Sequence, residues 1–236
     1  MNNDEADFLI AEAEVSAFLD RVPGDVRADL ARLPRDLDSI LACAIGSVST
    51  HRLRGLTLAR VASILREFGQ PDLAAAVPDE PSPLGGYVVA RGPRAFVFVE
   101  SARTLYYERF TLAHEAGHLW HEWLKPGADA CALVDAPDWY RAAVDGEARE
   151  REAAANAFAA ELLMPRREVR RLAERELGAD PSVDRCLVAL EERFRASHTA
   201  LALQLAKTGF IRWSEFRRVR ARDTALAKMR VEYDCA

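Results

Sequence analysis

A mostly helical α+β fold is predicted for this 236-residue sequence, with a small sheet packed beside two helices and further helical parts at both ends. Three observations carry that expectation. Apolar residues recur at helical spacing through most of the first 70 residues and again beyond residue 165. Residues 86–90 and 95–99 are short β-branched and aromatic runs separated by turn residues. The alanine-rich stretch 147–163 is built almost wholly of strong helix formers.

Residues 1–70 read as wholly helical. Apolar positions repeat in 8–19, 26–33, 37–45 and 57–68, and Pro23-Gly24 and Pro34 punctuate them. His51 reads here as a surface or capping residue. Residues 71–85 hold four prolines and lead through Gly85-Gly86 into the strands, as a loop that could border a cleft. Gly92-Pro93-Arg94 turns the hairpin. Its second strand leads toward a helix starting near Tyr106 to Glu108 and running through Trp120 or Trp123. Leu112, Leu119 and Trp120 would pack it, and Pro126-Gly127 would end it. After helix 147–163, Pro165 can start another that runs to about Leu177, with Gly178 as C-cap. Residues 183–195 and 199–207 form a helix pair, with Ser197 as N-cap and Gly209 as stop. Three parts result: 1–70, 71–180 and 181–236.

Half the residues are hydrophobic and 29% are charged, enough for one substantial core. No apolar run approaches 18 residues, so no membrane span is expected. The start, Met-Asn-Asn-Asp-Glu-Ala-Asp, lacks the basic and apolar regions of a signal peptide. Cys43, Cys131, Cys186 and Cys235 are scattered, which suits reduced thiols in the cytoplasm. A formal net charge of −5 argues against generic nucleic-acid binding by the whole chain.

The run His114-Glu115-Ala116-Gly117-His118 carries the chemistry. Histidines four apart on a helix sit about 40° apart around the axis and roughly 6 Å along it, so both can reach one metal ion. Glu115 follows the first ligand, where its carboxylate can hold a water and take its proton. This is the H-E-x-x-H pattern of zinc metallopeptidases. Catalytic zinc normally has three protein ligands and an open position. His121 lies on the same face but about 10 Å beyond His114, suited to lining a cleft. No Gly and His stand at the offsets of a metzincin. A carboxylate from helix 147–163 is the better source. Glu152 and Asn156 share a face there, while Glu150 and Glu161 point well away from Glu152. Glu152 can then be the third ligand, and Asn156 can accept a hydrogen bond from a ligand histidine and fix its tautomer. Glu147 and Glu150 compete if the helix is shifted in register.

Two blocks, Arg109-Phe110-Thr111-Leu112-Ala113-His114-Glu115-Ala116-Gly117-His118 and Asn156-Ala157-Phe158-Ala159-Ala160-Glu161-Leu162-Leu163-Met164-Pro165, resemble the ImmA/IrrE family of metallo-endopeptidases, in its order and after a short hairpin. The resemblance covers roughly residues 56–212. The segment between the blocks looks longer than usual, and Ala154-Ala155 precede Asn156 where the family often reads Glu-Ala. The resemblance implies zinc on His114, His118 and Glu152, with Glu115 as general base, in a gluzincin-like architecture. It also implies cleavage of a specific protein, often a helix-turn-helix repressor. Tyr106, Tyr107, Tyr140, His121 and His198 are candidates for a further oxyanion donor. Cys131 reads as a plain buried cysteine rather than an inhibitory thiolate.

The terminal helix pair has helix-turn-helix dimensions, yet its second helix, Thr-Ala-Leu-Ala-Leu-Gln-Leu-Ala-Lys-Thr, is mostly apolar. Packing is the expected role, and direct DNA binding the lesser one. Residues 212–230 carry a positive excess that reads as a solvated helix face or, as the lesser reading, as a dock for an acidic partner or nucleic acid. The rival to a protease is a non-catalytic regulatory or antitoxin-like binding module with a structural or vestigial zinc site. Glu115 weighs against it, because a structural site needs no base.

Overall fold

The computed structural model describes residues 3–30, 32–78, 83–124, 146–179 and 182–234. The chain divides into two units, Met1–Leu162 and Leu163–Ala236. Unit one contains α1 (Asn3–Leu19), α2 (Gly24–Leu30), α3 (Leu37–Ile45), β1 (Val48–Leu53), α4 (Leu58–Glu67), α5 (Pro71–Ala76), β2 (Gly86–Arg91), β3 (Arg94–Glu100), α6 (Leu105–Leu119) continued by a π-helical turn (Trp120–Leu124), and α7 (Gly146–Leu163) up to the boundary. Unit two holds α8 (Arg166–Ala179), α9 (Val183–Phe194), α10 (His198–Lys207) and α11 (Trp213–Asp234). This is the mostly helical α+β fold the sequence predicts. No helix among the described residues is long and apolar enough to cross a membrane.

The sheet has the order β1-β3-β2. β2 and β3 form the expected hairpin, pairing antiparallel with Val88 opposite Val97. Gly92 takes φ +58° in the two-residue turn, a conformation glycine adopts without steric cost. On one face Tyr87, Val89, Phe96 and Phe98 join Leu56, Leu58, Val61, Leu65 and Leu73 in a hydrophobic core with α4 and α5. Alternation sends Val88, Ala90, Val97 and Val99 to the other face. All four are buried, and α6 packs on β2 and β3.

β1 corrects the wholly helical reading of residues 1–70. Val48–Leu53 runs parallel to β3, with His51 opposite Phe98. The strand is half-buried and mostly polar, so it shows neither a continuous apolar run nor clean alternation. His51 is correspondingly not a surface or capping residue. Its ring stacks on Phe98 at 5.1 Å and meets Phe68 edge-on at 5.1 Å. Burial lowers its pKa. The loop 71–85 is likewise interrupted by α5, with Pro71 in its first turn, where a missing N–H costs nothing. α8 runs through Gly178 to Ala179, so Gly178 is not its C-cap.

Glu100 ends β3 and ties three segments together. Its buried carboxylate accepts hydrogen bonds from Leu56 N and Ala102 N, each at 2.7 Å. Burial raises its pKa, but the N–H groups of Leu56, Ala102 and Gly55 outweigh that and hold it below the usual value. Glu100→Ala strands buried donors and should destabilise unit one by about 1–3 kcal/mol. Because the folded pKa is the lower one, the carboxylate's contribution is full above the unfolded value and vanishes as pH falls through the folded value. Denaturant melts of both proteins should therefore converge in acid. A constant difference down to full protonation would refute this account of Glu100.

In unit two, Ser197 caps α10 by accepting from Ala200 N at 3.2 Å. Leu187, Leu190, Phe194, Leu201, Leu205 and Val219 form its core. Thr199 donates through N and Oγ1 to Asp223 Oδ2 at 3.1 and 2.6 Å, fixing α11 on α10. The α10 residues Leu201, Ala202, Gln204, Leu205 and Ala206 are buried. Arg217, Arg218 and Arg220 of α11 are exposed.

Candidate metal centre

Thr104 starts α6 by accepting a hydrogen bond from Tyr107 N. From Thr111 to Leu119 every residue of α6 is buried. Phe18 of α1 fills the space behind, edge-on to Trp120 at 5.9 Å and to Phe158 of α7 at 5.4 Å. The C-terminal end of α7 is held by Arg35, whose Nη1 donates to Leu162 O at 2.7 Å, a favourable place for a cation. Burial lowers the pKa of Arg35, and the charge of Glu161 opposes that shift. Arg109 Nη2 donates to Arg35 O at 3.2 Å, so the same loop also holds α6.

Between α6 and α7 three side chains converge. His118 Nε2 lies 3.0 Å from His114 Nε2. Glu152 places Oε2 3.2 Å from His114 Nε2 and Oε1 3.4 Å from His118 Nε2. Bonds of about 2.0–2.1 Å from a tetrahedral centre would separate ligand atoms by about 3.3–3.4 Å. The donor set is thus spaced for a small divalent cation such as zinc. His114 and His118 are 5% and 2% exposed, and the Glu152 side chain 12%, so water screens the cluster weakly. Burial raises the Glu152 pKa, but the two imidazoles, as donors and positive charges, outweigh it and hold it at about 2.

The outer ring nitrogens settle which lone pairs face inward. His114 Nδ1 lies 3.2 Å from Asn156 Oδ1, and His118 Nδ1 lies 3.0 Å from Glu122 Oε1. Both partners are acceptors, so in the neutral rings each Nδ1 carries the proton and each Nε2 is left with a lone pair facing the other. Two lone pairs and a carboxylate in such proximity require a proton or a metal cation among them. Asn156 thus meets His114, as the shared helical face suggests. Sequence reasoning misses Glu122, whose one signal is its spacing of four residues after His118.

Glu115 is 3% exposed and points to the start of β2. A Cβ at Gly86 would overlap the Glu115 carboxylate and the Thr111 methyl, and one at Gly85 would overlap the Tyr107 hydroxyl. The glycine pair therefore leaves room for both side chains. Tyr107 is 37% exposed, with the Arg103 guanidinium 4.8 Å above its ring. Tyr106 is half-buried on the first turn of α6. His121 is not brought to the cluster: it pairs with Glu14 of α1 at 3.5 Å and meets the Phe158 ring. His198 belongs to unit two and pairs with Glu191 at 2.9 Å. Glu147 and Glu150 are exposed on α7. Cys131, Tyr140 and Pro126-Gly127 lie outside the described residues.

Gly117 explains how α7 comes close enough. A Cβ there would sit 3.0 Å from Ala155 Cα and 3.1 Å from Ala155 O. Backbone cannot swing aside as a flexible side chain can. In an exposed helix Gly→Ala stabilises by about 1 kcal/mol. Here Gly117→Ala should destabilise by about 1–3 kcal/mol and weaken metal binding, because the helices must separate. Thermal melts and a zinc titration measure both. A variant as stable as the parent with unchanged zinc affinity would show that the close approach is not required.

The sequence pattern of the peptidase M78 family, described as IrrE N-terminal-like domain, matches residues 76–206, just over half the chain. That span contains His114, Glu115, His118, Glu122, Glu152 and Asn156. No curated protein matches the chain.

Proposed function

The chain belongs to the peptidase M78 (IrrE N-terminal-like) family, and from that premise we propose that it is a zinc-dependent endopeptidase. The observation that carries the reading is the convergence of His114, His118 and Glu152, with Glu115 buried beside them and outside the ligand set. In this reading His114, His118 and Glu152 hold the metal. Bound zinc would polarise the scissile carbonyl and make water a stronger acid. Glu115 accepts the proton of the attacking water and returns one to the leaving amine, so the C–N bond breaks with charge conserved. Asn156 orients His114. Tyr107, whose hydroxyl lies against Gly85, next to the Gly86 that faces Glu115, is the oxyanion donor proposed among the described candidates.

The substrate proposed is a specific protein of the cytoplasm, with a helix-turn-helix repressor as the first to try. The non-catalytic binding module is the second reading, and the exposed α11 arginines favour it only as an added docking role. Elemental analysis of the purified protein tests the metal first. One zinc per chain, removed by chelator and restored by added zinc, is the expected result. Less than about a tenth of an equivalent after zinc is supplied would remove the metallopeptidase reading.

A further inference from the structure

We infer that Glu122 is a positioning residue of the metal centre, holding His118 through Nδ1 so that Nε2 faces His114 and Glu152; this rests on the metal-site reading above. The contact is 3.0 Å, on the ring edge opposite the converging ligand atoms, so Glu122 orients a ligand without being one. His118 is 2% exposed and the Glu122 side chain 18%, so water competes weakly for the bond.

Among the described residues Glu122 has no other partner. The π-helical turn Trp120–Leu124 begins where the ligand helix ends. A change from i→i+4 to i→i+5 bonding adds a residue to the turn and rotates the side chains beyond it. Within this turn Glu122 points back to His118 while His121 pairs with Glu14 and meets the Phe158 ring.

The two histidines are therefore held unequally. His114 meets the neutral amide of Asn156, an exposed residue, whereas His118 meets a carboxylate. A carboxylate partner draws the Nδ1 proton, makes Nε2 a stronger donor to a metal and locks the tautomer more firmly than an amide does. Among the two ligand histidines, His118 is the firmer anchor.

The test uses the full chain, first without metal and then with zinc. Long-range nitrogen–proton NMR should show His118 as the Nδ1–H tautomer in the metal-free wild type. Glu122→Leu should abolish that preference and weaken zinc binding about 10–100-fold against a competing chelator. Glu122→Gln, which keeps shape and loses charge, should weaken it less. Glu150→Gln, an exposed carboxylate on α7, should leave zinc affinity unchanged and so exclude a general charge effect. Should Glu122→Leu fail to fold, Glu122→Gln decides: wild-type affinity with an unaltered tautomer overturns the inference. Wild type that binds zinc while both variants match it refutes the role of Glu122 alone. Wild type that binds no zinc overturns the metal-site reading, and this inference with it.

Discussion

Glu115→Gln should keep its zinc and lose peptide cleavage by a factor of about 10²–10⁴ or more. The carboxylate is 3% exposed and lies over Gly86, outside the group formed by His114, His118 and Glu152. Removing its charge therefore takes nothing from the metal's ligands. The amide has nearly the same shape, so the space left by Gly86 remains filled. What it lacks is a basic oxygen able to accept the proton of water. Zinc content by elemental analysis and cleavage of a helix-turn-helix repressor cut by the wild type separate the two effects. Cleavage at the wild-type rate would show that another group is the base.

The second large effect is expected at Glu152, the proposed third ligand. Glu152→Ala removes the only carboxylate that converges with the two imidazoles among the described residues, leaving two protein ligands where catalytic zinc normally has three. Zinc affinity should fall by more than the about 10–100-fold typical of losing an orienting partner. Asn156→Ala should fall within that range, because only the hydrogen bond to His114 Nδ1 is lost. Glu150→Ala should be nearly silent, since Glu150 is exposed on another face of α7. A chelator competition run on all three variants orders them. A silent Glu152→Ala beside a damaging Glu150→Ala would move the ligand by two residues.

The parts of this arrangement legible in the sequence are those whose chemistry repeats with the helical period. Two histidines four apart announce a shared face, and Glu152 with Asn156 repeats the device on α7. The hairpin shows itself through β-branched and aromatic runs around a Gly-Pro turn. The hidden parts depend on neighbours distant in sequence. β1 reads Val-Ser-Thr-His-Arg-Leu, and only its pairing with β3 makes those polar residues a strand. His51 looks like a surface residue until Phe68, Phe96 and Phe98 surround it. Glu122 looks like an ordinary helix charge until its carboxylate is seen against His118 Nδ1, one helical turn away. Gly117 looks like a weak point in a helix, and its purpose appears only when Ala155 is seen against it.

β1 also separates the similarity boundary from the folding boundary. The matched span begins at residue 76, whereas β1 occupies Val48–Leu53 and completes the sheet from outside it. A fragment cut at 76–206 keeps the hairpin and the ligand positions of the metal centre, yet strips β3 of its parallel neighbour. It would also shed Leu56, Leu58, Val61, Leu65 and Leu73, which share the core with Tyr87 and Phe98. The exposed side of β3 would then offer a row of unpaired N–H and C=O groups flanked by Phe96, Val97 and Phe98. That is a template for edge-to-edge aggregation rather than a smaller self-contained fold. The shortest self-sufficient form of this centre therefore has to begin upstream of Val48.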